Sequence, residues 1–438
     1  MCVMCAAQGL SASWQTFDHD IANAGGSSPA EASPEAATAV LVGFTGQQNI
    51  DGLLWGTRWS GAITYSFPDA RADYEVTYSE ADYGFGAVSF SQQQAARYIL
   101  EGTSAYSGGP KMGLTALESF TEASISDAGF NGADIRIAKS GEANPTAYAY
   151  LPDGSYTGGD VWFGSYHDYS NPRVGNYDFV TMIHELGHAL GLKHGHAADG
   201  GAVMSADRDS MEFSVMTYRP YIGASTTRGY TNETYGFAQT YMMYDIAALQ
   251  HLYGADFTTN SGATVYSWSA VTGETFVNGV GQGAPGTGAG GSSNRIFQTI
   301  WDGGGVDTYD FSNYATNLTI DLTPGGWSLL SAAQQAYLGD GHYARGNVFN
   351  ALQFQGDARS LIENAIGGSG ADKIVGNIAD NRLTGGAGND VLDGGGGVNT
   401  AVYSGSFNDY TWSQKADSSL TISDLRAGQA DGIDTLLN

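Results

Sequence analysis

Four consecutive nine-residue blocks read GGSGADKIV (367 to 375), GNIADNRLT (376 to 384), GGAGNDVLD (385 to 393) and GGGGVNTAV (394 to 402), approximating G-G-x-G-x-D-x-U-x with U apolar. A unit this short cannot bury an apolar face alone, so successive blocks must stack on one another. The pattern predicts a parallel β-roll: glycines make the turns, the aspartate and turn carbonyls coordinate calcium between turns, and the apolar residue points inward. Ile374, Leu383 and Leu392 are the inward residues. Asp372 and Asp390 are the best calcium ligands, with carbonyls from Gly368, Gly370, Gly385, Gly386 and Gly388. Asn381 and Asn399 stand at the aspartate position, and Ala379 and Val398 are further irregularities, so few full-strength sites are expected. A glycine-rich linker would need neither aspartate nor aliphatics at a fixed period.

A second constraint lies upstream, where residues 181 to 196 read TMIHELGHALGLKHGH. His184, Glu185, His188, Gly191 and His194 follow the spacing H-E-x-x-H-x-x-G-x-x-H. Residues four apart share a helix face, so His184 and His188 can address one zinc ion. Gly191 can take the left-handed conformation that ends a helix, returning His194 as a third ligand. Three protein ligands leave a position for water, whose pKa zinc lowers from about 15.7 to about 7. Glu185, beside the metal without ligating it, can remove that water's proton, which is equipment for hydrolysing a peptide bond.

Downstream, Ser214-Val215-Met216-Thr217-Tyr218 completes a pattern. The long zinc motif followed by this turn resembles the metzincin metalloproteases, and within them the serralysins. The resemblance implies that Met216 lies beneath the zinc ligands and that Tyr218 hydrogen-bonds the tetrahedral oxyanion. The segment QTYMMYDIAALQHLY (239 to 253) is also serralysin-like; it reads as an amphipathic helix burying Met243, Ile246, Ala247, Leu249 and Leu252. Asp245 and His251 on it read as structural. Trp301 to Asp310 resembles an incoming calcium loop and residues 362 to 366 the strand that feeds the roll, so the match implies calcium on Asp302, Gly304, Gly305, Asp307 and Glu363. Where the family carries T-G-D-T, this chain has Ser261-Gly262-Ala263-Thr264, and Ala263 removes a carboxylate from that site.

The chain has 438 residues, a formal net charge of −27 and 63 glycines, but only 14% charged residues. The imbalance reflects scarce Lys and Arg more than acidic tracts, and it argues against nucleic acid and anionic membranes as partners. No apolar run approaches the roughly 20 residues needed to span a bilayer, so no membrane insertion is expected. The N-terminus has neither a basic start nor a convincing apolar core, which argues against a cleaved secretory signal. Both cysteines, Cys2 and Cys5, lie there, so a disulfide framework is excluded. They read as part of a flexible leader without a role for the thiols; the alternative is a thiolate that occupies the zinc and keeps a zymogen silent. Calcium-repeat proteins of this resemblance use type I export, which implies a secreted, extracellular protein acting as a monomer on protein or peptide substrates.

Along the chain, residues 1 to 48 are rich in Ala, Ser, Gly and Pro and read as a leader or pro-segment. From Leu53, LLWGTRWSGAITYSFP alternates like a first strand, Phe90 to Tyr106 carries a helical period, and ADIRIA (133 to 138) reads as a central strand. Val161, Trp162 and Phe163 read as the strand bordering the cleft; as an edge strand it would take an extended peptide by sequence-independent backbone bonds, implying broad specificity. The zinc helix begins near Tyr177. The expected fold is an α+β metzincin catalytic domain (49 to 256), then an all-β C-terminal domain containing the β-roll (257 to 405) and a C-terminal β segment (406 to 438). Two rival readings are a calcium-roll binding protein with a relict zinc domain, and a metalloenzyme acting on a non-peptide ester or amide.

Overall fold

The computed structural model describes residues 37–102, 114, 116–130, 132–286, 291–428 and 430–437. Two compact units emerge: residues up to Asp256 together with Leu338–His342, and Phe257–Tyr337 together with Tyr343–Asn438. No helix among the described residues is long and apolar enough to cross a membrane.

The first unit opens with β1 (Thr38–Leu41), paired antiparallel with β2 (Thr57–Ser60). Of the segment read as a leader to residue 48, the described part, residues 37 to 48, is thus structured and carries β1. The physical reason is one distant and two local partners: Ala37 N–H donates to Asp134 Oδ1 at 3.0 Å, and Asp51 accepts from the nearby Thr45 and Gly46 amides at 2.7 and 2.8 Å. Cys2 and Cys5 lie outside the described residues. The expected single first strand is two, β2 and β3 (Ile63–Ser66), broken by Gly61 at φ +102°.

A five-stranded sheet runs in the order β4 (Ile125–Asp127), β3, β5 (Ile135–Lys139), β7 (Val161–Phe163) and β6 (Ala147–Ala149). All neighbours are parallel except β6, which is antiparallel to β7. The expected central strand does sit in the middle. The expected edge strand does not: Val161, Trp162 and Phe163 pair with β5 on one side and β6 on the other, and all three are fully buried. The edge on this side belongs to Ala147–Ala149, and the opposite edge to Ile125–Asp127. An all-apolar triplet with no exposed face suits a doubly paired strand better than an edge.

Three helices longer than a single turn, among the described residues, complete the frame. In α1 (Phe90–Glu101), Ser89 and Gln92 form a reciprocal capping box, and Ala95, Ala96, Ile99 and Leu100 are buried against β4 and α2. It stops at Gly102, in the left-handed region at φ +65°; the rest of the expected span, residues 103 to 106, lies outside the described residues. The zinc-motif helix α2 (Tyr177–Ala189) is capped by Asn176, whose side chain accepts the Phe179 amide at 2.9 Å. In α3 (Met243–Tyr253) the five expected positions are buried, but so are Asp245, Ala248 and Gln250, so this helix is enclosed rather than amphipathic.

The second unit is built of short strands, most of them in two large sheets, with Gln298–Ile300, Val348–Asn350 and Trp327–Ser328 forming a third. Asn364–Ile366, Arg382–Thr384 and Thr400–Ala401 pair in parallel in one; Thr319–Asp321, Lys373–Val375, Val391–Asp393 and Ile433–Leu437 do so in the other. Successive nine-residue blocks alternate between the sheets, with Ile374, Leu383 and Leu392 buried between them. Between Thr400–Ala401 and Ile433–Leu437 the chain detours through an antiparallel hairpin, Tyr410–Gln414 with Leu420–Asp424.

Candidate active site

Helix α2 buries His184, Glu185 and His188 to 1–3% exposure. After Leu190 the chain turns at Gly191, φ +105°, where a Cβ would lie 2.3 Å from the Thr57 carbonyl oxygen; only glycine fits this corner. The returning segment lies along Leu53–Trp55, with Lys193 N–H donating to Leu53 O at 2.8 Å. The buried Lys193 ammonium donates to the carbonyls of Gly52 (2.8 Å), Ala197 (2.6 Å) and Ala202 (2.9 Å), pinning the loop that carries His194.

His184 Nε2 and His188 Nε2 lie 3.1 and 3.0 Å from His194 Nε2. Among the described residues, these three are the only His, Cys, Asp or Glu group that brings ligand atoms within 4.8 Å of one another. The tautomers follow from carbonyl partners, which can only accept: His184 Nδ1 donates to Val215 O at 2.8 Å, and His188 Nδ1 to Leu192 O at 2.7 Å. Their Nε2 lone pairs therefore face inward. Burial, and then the neighbouring His188, push His184 down to about 3 and hold His194 well below the usual imidazole range, keeping the rings neutral. Buried lone pairs converging at this distance repel one another unless a cation joins them, so the residues fit a zinc ion.

The methionine turn lies under the helix. Met216 is fully buried, and a Cβ at Gly187 would meet its Sδ at 2.6 Å, so Gly187 lets the thioether approach the helix backbone. Two carboxylates hold the turn. Asp245 accepts Ser214 Oγ–H (2.6 Å) and the Val215 and Met242 amides (2.8 and 2.9 Å); Asp209 accepts Thr217 Oγ–H (2.5 Å) and Arg219 Nε–H (2.8 Å). The turn thus fixes His184 through the Val215 carbonyl. Tyr218 lies with its ring 4.3 Å from that of His194 and 6.0 Å from that of His184, and His196 packs 4.8 Å from the Tyr218 ring.

At the other end of α2, the last carbonyls find side-chain donors: Trp59 Nε1–H reaches Ala189 O at 2.9 Å and Tyr253 O–H reaches Leu190 O at 2.8 Å. Sequence reasoning missed Gly187, Lys193, Trp59 and Tyr253. The glycine inside a zinc helix was a readable signal; the other three have partners only in three dimensions.

The second unit spreads its carboxylates out. Asp302 accepts the Gly304 amide and the Tyr266 hydroxyl, Asp307 accepts the Thr264 amide, and Glu363 accepts the Asp307 amide, each at 2.7 Å. Burial raises all three, with Asp307 adding to the shift of Asp302: Asp302 to about 8, Asp307 to about 6 and Glu363 to about 7. Gly304, Gly305, Gly386 and Gly388 have positive φ, whereas Gly368, Gly370 and Gly385 do not. A Cβ at Gly388 would lie 2.2 Å from Gly370 O, and one at Gly386 2.0 Å from Gly368 O, so turn stacks on turn with carbonyls between.

Two family models match the chain: Matrixin over residues 128–215, and Peptidase M10 serralysin C terminal over 255–436. Similar proteins include a serralysin of Proteus mirabilis, 31% identical over 338 residues, covering 73% of this chain and 60% of the relative. Serralysin C of Dickeya chrysanthemi is 39% identical over 239 residues (52% of this chain, 43% of the relative), and metalloprotease AprA of Pseudomonas entomophila is 33% identical over 243 residues (53% and 44%). The chain thus spans about six tenths, at most, of the length of these relatives. Zinc-motif helix, methionine turn and glycine-rich C-terminal unit agree with the two family models and with these relatives: the chain belongs to the serralysin-type metzincins.

Proposed function

We propose that this chain is a secreted, calcium-stabilised zinc endopeptidase of broad specificity. The observation that carries the reading is the convergence of three buried Nε2 atoms beside Glu185, those of His184 and His188 lying 3.1 and 3.0 Å from that of His194. His184, His188 and His194 would hold zinc, which when bound supplies a Lewis acid for the scissile carbonyl and lowers the pKa of a water. Glu185 takes the proton of the attacking water and delivers it to the leaving amine. Tyr218 donates its hydroxyl to the developing oxyanion, and Met216 supports the ligands from below. The substrate backbone would add to the sheet edge at Ala147–Ala149, the outer neighbour of Val161–Phe163. Backbone pairing at an edge does not depend on substrate side chains, which is the basis for broad specificity.

In the second unit we read the two alternating stacks as a parallel β-roll. Calcium would be held by Asp302, Gly304, Gly305, Asp307 and Glu363 at its start, and by Gly368, Gly370, Asp372, Gly385, Gly386, Gly388 and Asp390 within it. Type I export, an extracellular location and a monomeric state accompany this reading. The test is hydrolysis of an unfolded protein by the calcium-loaded chain, beside Glu185→Ala and a zinc-chelated sample. Activity in the first alone supports a zinc endopeptidase using Glu185. An inactive wild type that still binds calcium turns the reading to a calcium-roll binding protein.

A further inference from the structure

The edge strand β6 carries its fastenings and its outward pairing groups on different residues. Gly164 N–H donates to Thr146 O at 2.6 Å and Tyr150 N–H to Asp160 O at 2.9 Å, and Tyr148 stands opposite Trp162 between them. In an antiparallel ladder alternate residues share the bonds, so Thr146, Tyr148 and Tyr150 turn their backbone groups toward β7, and Ala147 and Ala149 turn theirs outward. Side chains alternate as well: Ala147 and Ala149 bury methyl groups on one face of the sheet, and Tyr148 and Tyr150 stand on the other.

Those two tyrosines converge on one carboxylate. The Tyr148 hydroxyl donates to Glu80 Oε1 at 3.1 Å, and the Tyr150 hydroxyl donates to the same oxygen. Their rings meet edge to face, with centroids 5.7 Å apart. Glu80 belongs to the single-turn helix Ser79–Asp82, where Ser79 Oγ–H donates to its other oxygen at 2.8 Å. Its main-chain carbonyl accepts Ser140 Oγ–H at 2.7 Å, and the Ser140 amide donates to Phe163 O at 3.0 Å, so one residue is tied to the ends of β5 and β7 as well as to β6. The nearby buried Asp160 is matched by the Arg136 guanidinium at 2.8 Å. Glu80 is also buried, yet among the described residues its carboxylate is met by hydroxyls alone. Burying a carboxylate without a counter-ion is costly, and apolar contact would press the strand down at less expense. What the hydroxyl–carboxylate bonds add is direction.

We propose that Glu80 is a positioning residue for the substrate: by holding Tyr148 and Tyr150 on one oxygen, it sets the height and twist at which Ala147 and Ala149 offer their outward N–H and C=O groups to an extended peptide. Glu80 itself touches no substrate. The inference rests on the reading of this edge as the substrate strand.

The test uses the full zinc- and calcium-loaded chain with two substrates, an extended peptide and a short one reaching a single residue either side of the scissile bond. Glu80→Met removes the acceptor and should raise KM for the extended peptide about tenfold, the worth of one backbone hydrogen bond, with kcat within about twofold and the short peptide unaffected. Glu80→Gln keeps an oxygen that can accept both hydroxyls and should restore the wild-type KM. Methylating single amides of the extended peptide checks the edge itself on the wild type. If no position raises KM, the edge reading falls and this inference with it. If methylation raises KM but Glu80→Met leaves it unchanged, or lowers kcat on both peptides alike, the positioning role is overturned and the edge reading stands. Should Glu80→Met not fold, Tyr148→Phe keeps the ring and removes one hydroxyl; it should raise the same KM, and an unchanged value refutes the role.

Discussion

At the scale of single residues, the site depends on protons and backbone angles set by neighbours. Replacing Glu185 by Ala should lower kcat on the order of 10⁴-fold with zinc retained, since it removes the proton carrier and no ligand; metal content and turnover measured on one sample check this. Tyr218→Phe keeps the ring packed on His194 but removes the hydroxyl, and should cost about 10²-fold in kcat with little change in KM. Gly191→Ala acts differently. At φ +105°, with a Cβ 2.3 Å from the Thr57 oxygen, it forces the corner open at a cost of at least about 1–3 kcal/mol in strain. Thermal unfolding and zinc competition should both register the change; a variant with wild-type Tm and zinc affinity would show that the corner is not needed.

At the scale of elements, much of the site could be read in sequence because its ligands come from one helix and the turn that follows it. His184, His188 and His194 lie within eleven consecutive residues, so local geometry alone brings them together. What could not be read was set by pairing across long separations. Three-residue strands such as Val161–Phe163 and Ala147–Ala149 say nothing about which lies outermost, and the leader's boundary depended on Asp134, 97 residues from Ala37. The continuation of the stack at Ile433–Leu437 was overlooked because the hairpin breaks the nine-residue period, although the Gly-x-Asp-x-Leu text of 432 to 436 was in plain view. Lys193→Met tests the loop after α2. It leaves the carbonyls of Gly52, Ala197 and Ala202 without their shared donor, at about 1–3 kcal/mol for each that stays buried, and should weaken zinc binding through the displaced His194.

At the scale of the whole molecule, a chain of formal charge −27 buries carboxylates in both units, those of the second lying in the stacked turns. Asp302 at about 8, Glu363 at about 7 and Asp390 at about 7 are all raised by burial above their unfolded range near 4. A raised folded pKa contributes stability that is complete below the unfolded value and is lost as pH rises through the folded one. Chelator-treated protein should therefore melt at a lower temperature at pH 8 than at pH 6. Calcium should reverse the order, because it binds the ionised form and competes with protons. Scanning calorimetry at the two pH values, with and without calcium, checks both signs.

The capping of α2 has a consequence for timing. Its last two carbonyls are closed by Trp59, 130 residues before, and by Tyr253, 63 residues after. Contacts so far apart are slow to form, since closing each loop costs chain entropy before any contact repays it. A growing chain that already holds every zinc ligand still lacks the donor for Leu190 until Tyr253 has been made and α3 has docked. Closure of the helix end is thus tied to completion of the unit rather than to synthesis of the motif, and a half-made copy carries the three histidines on a helix that lacks the Tyr253 donor.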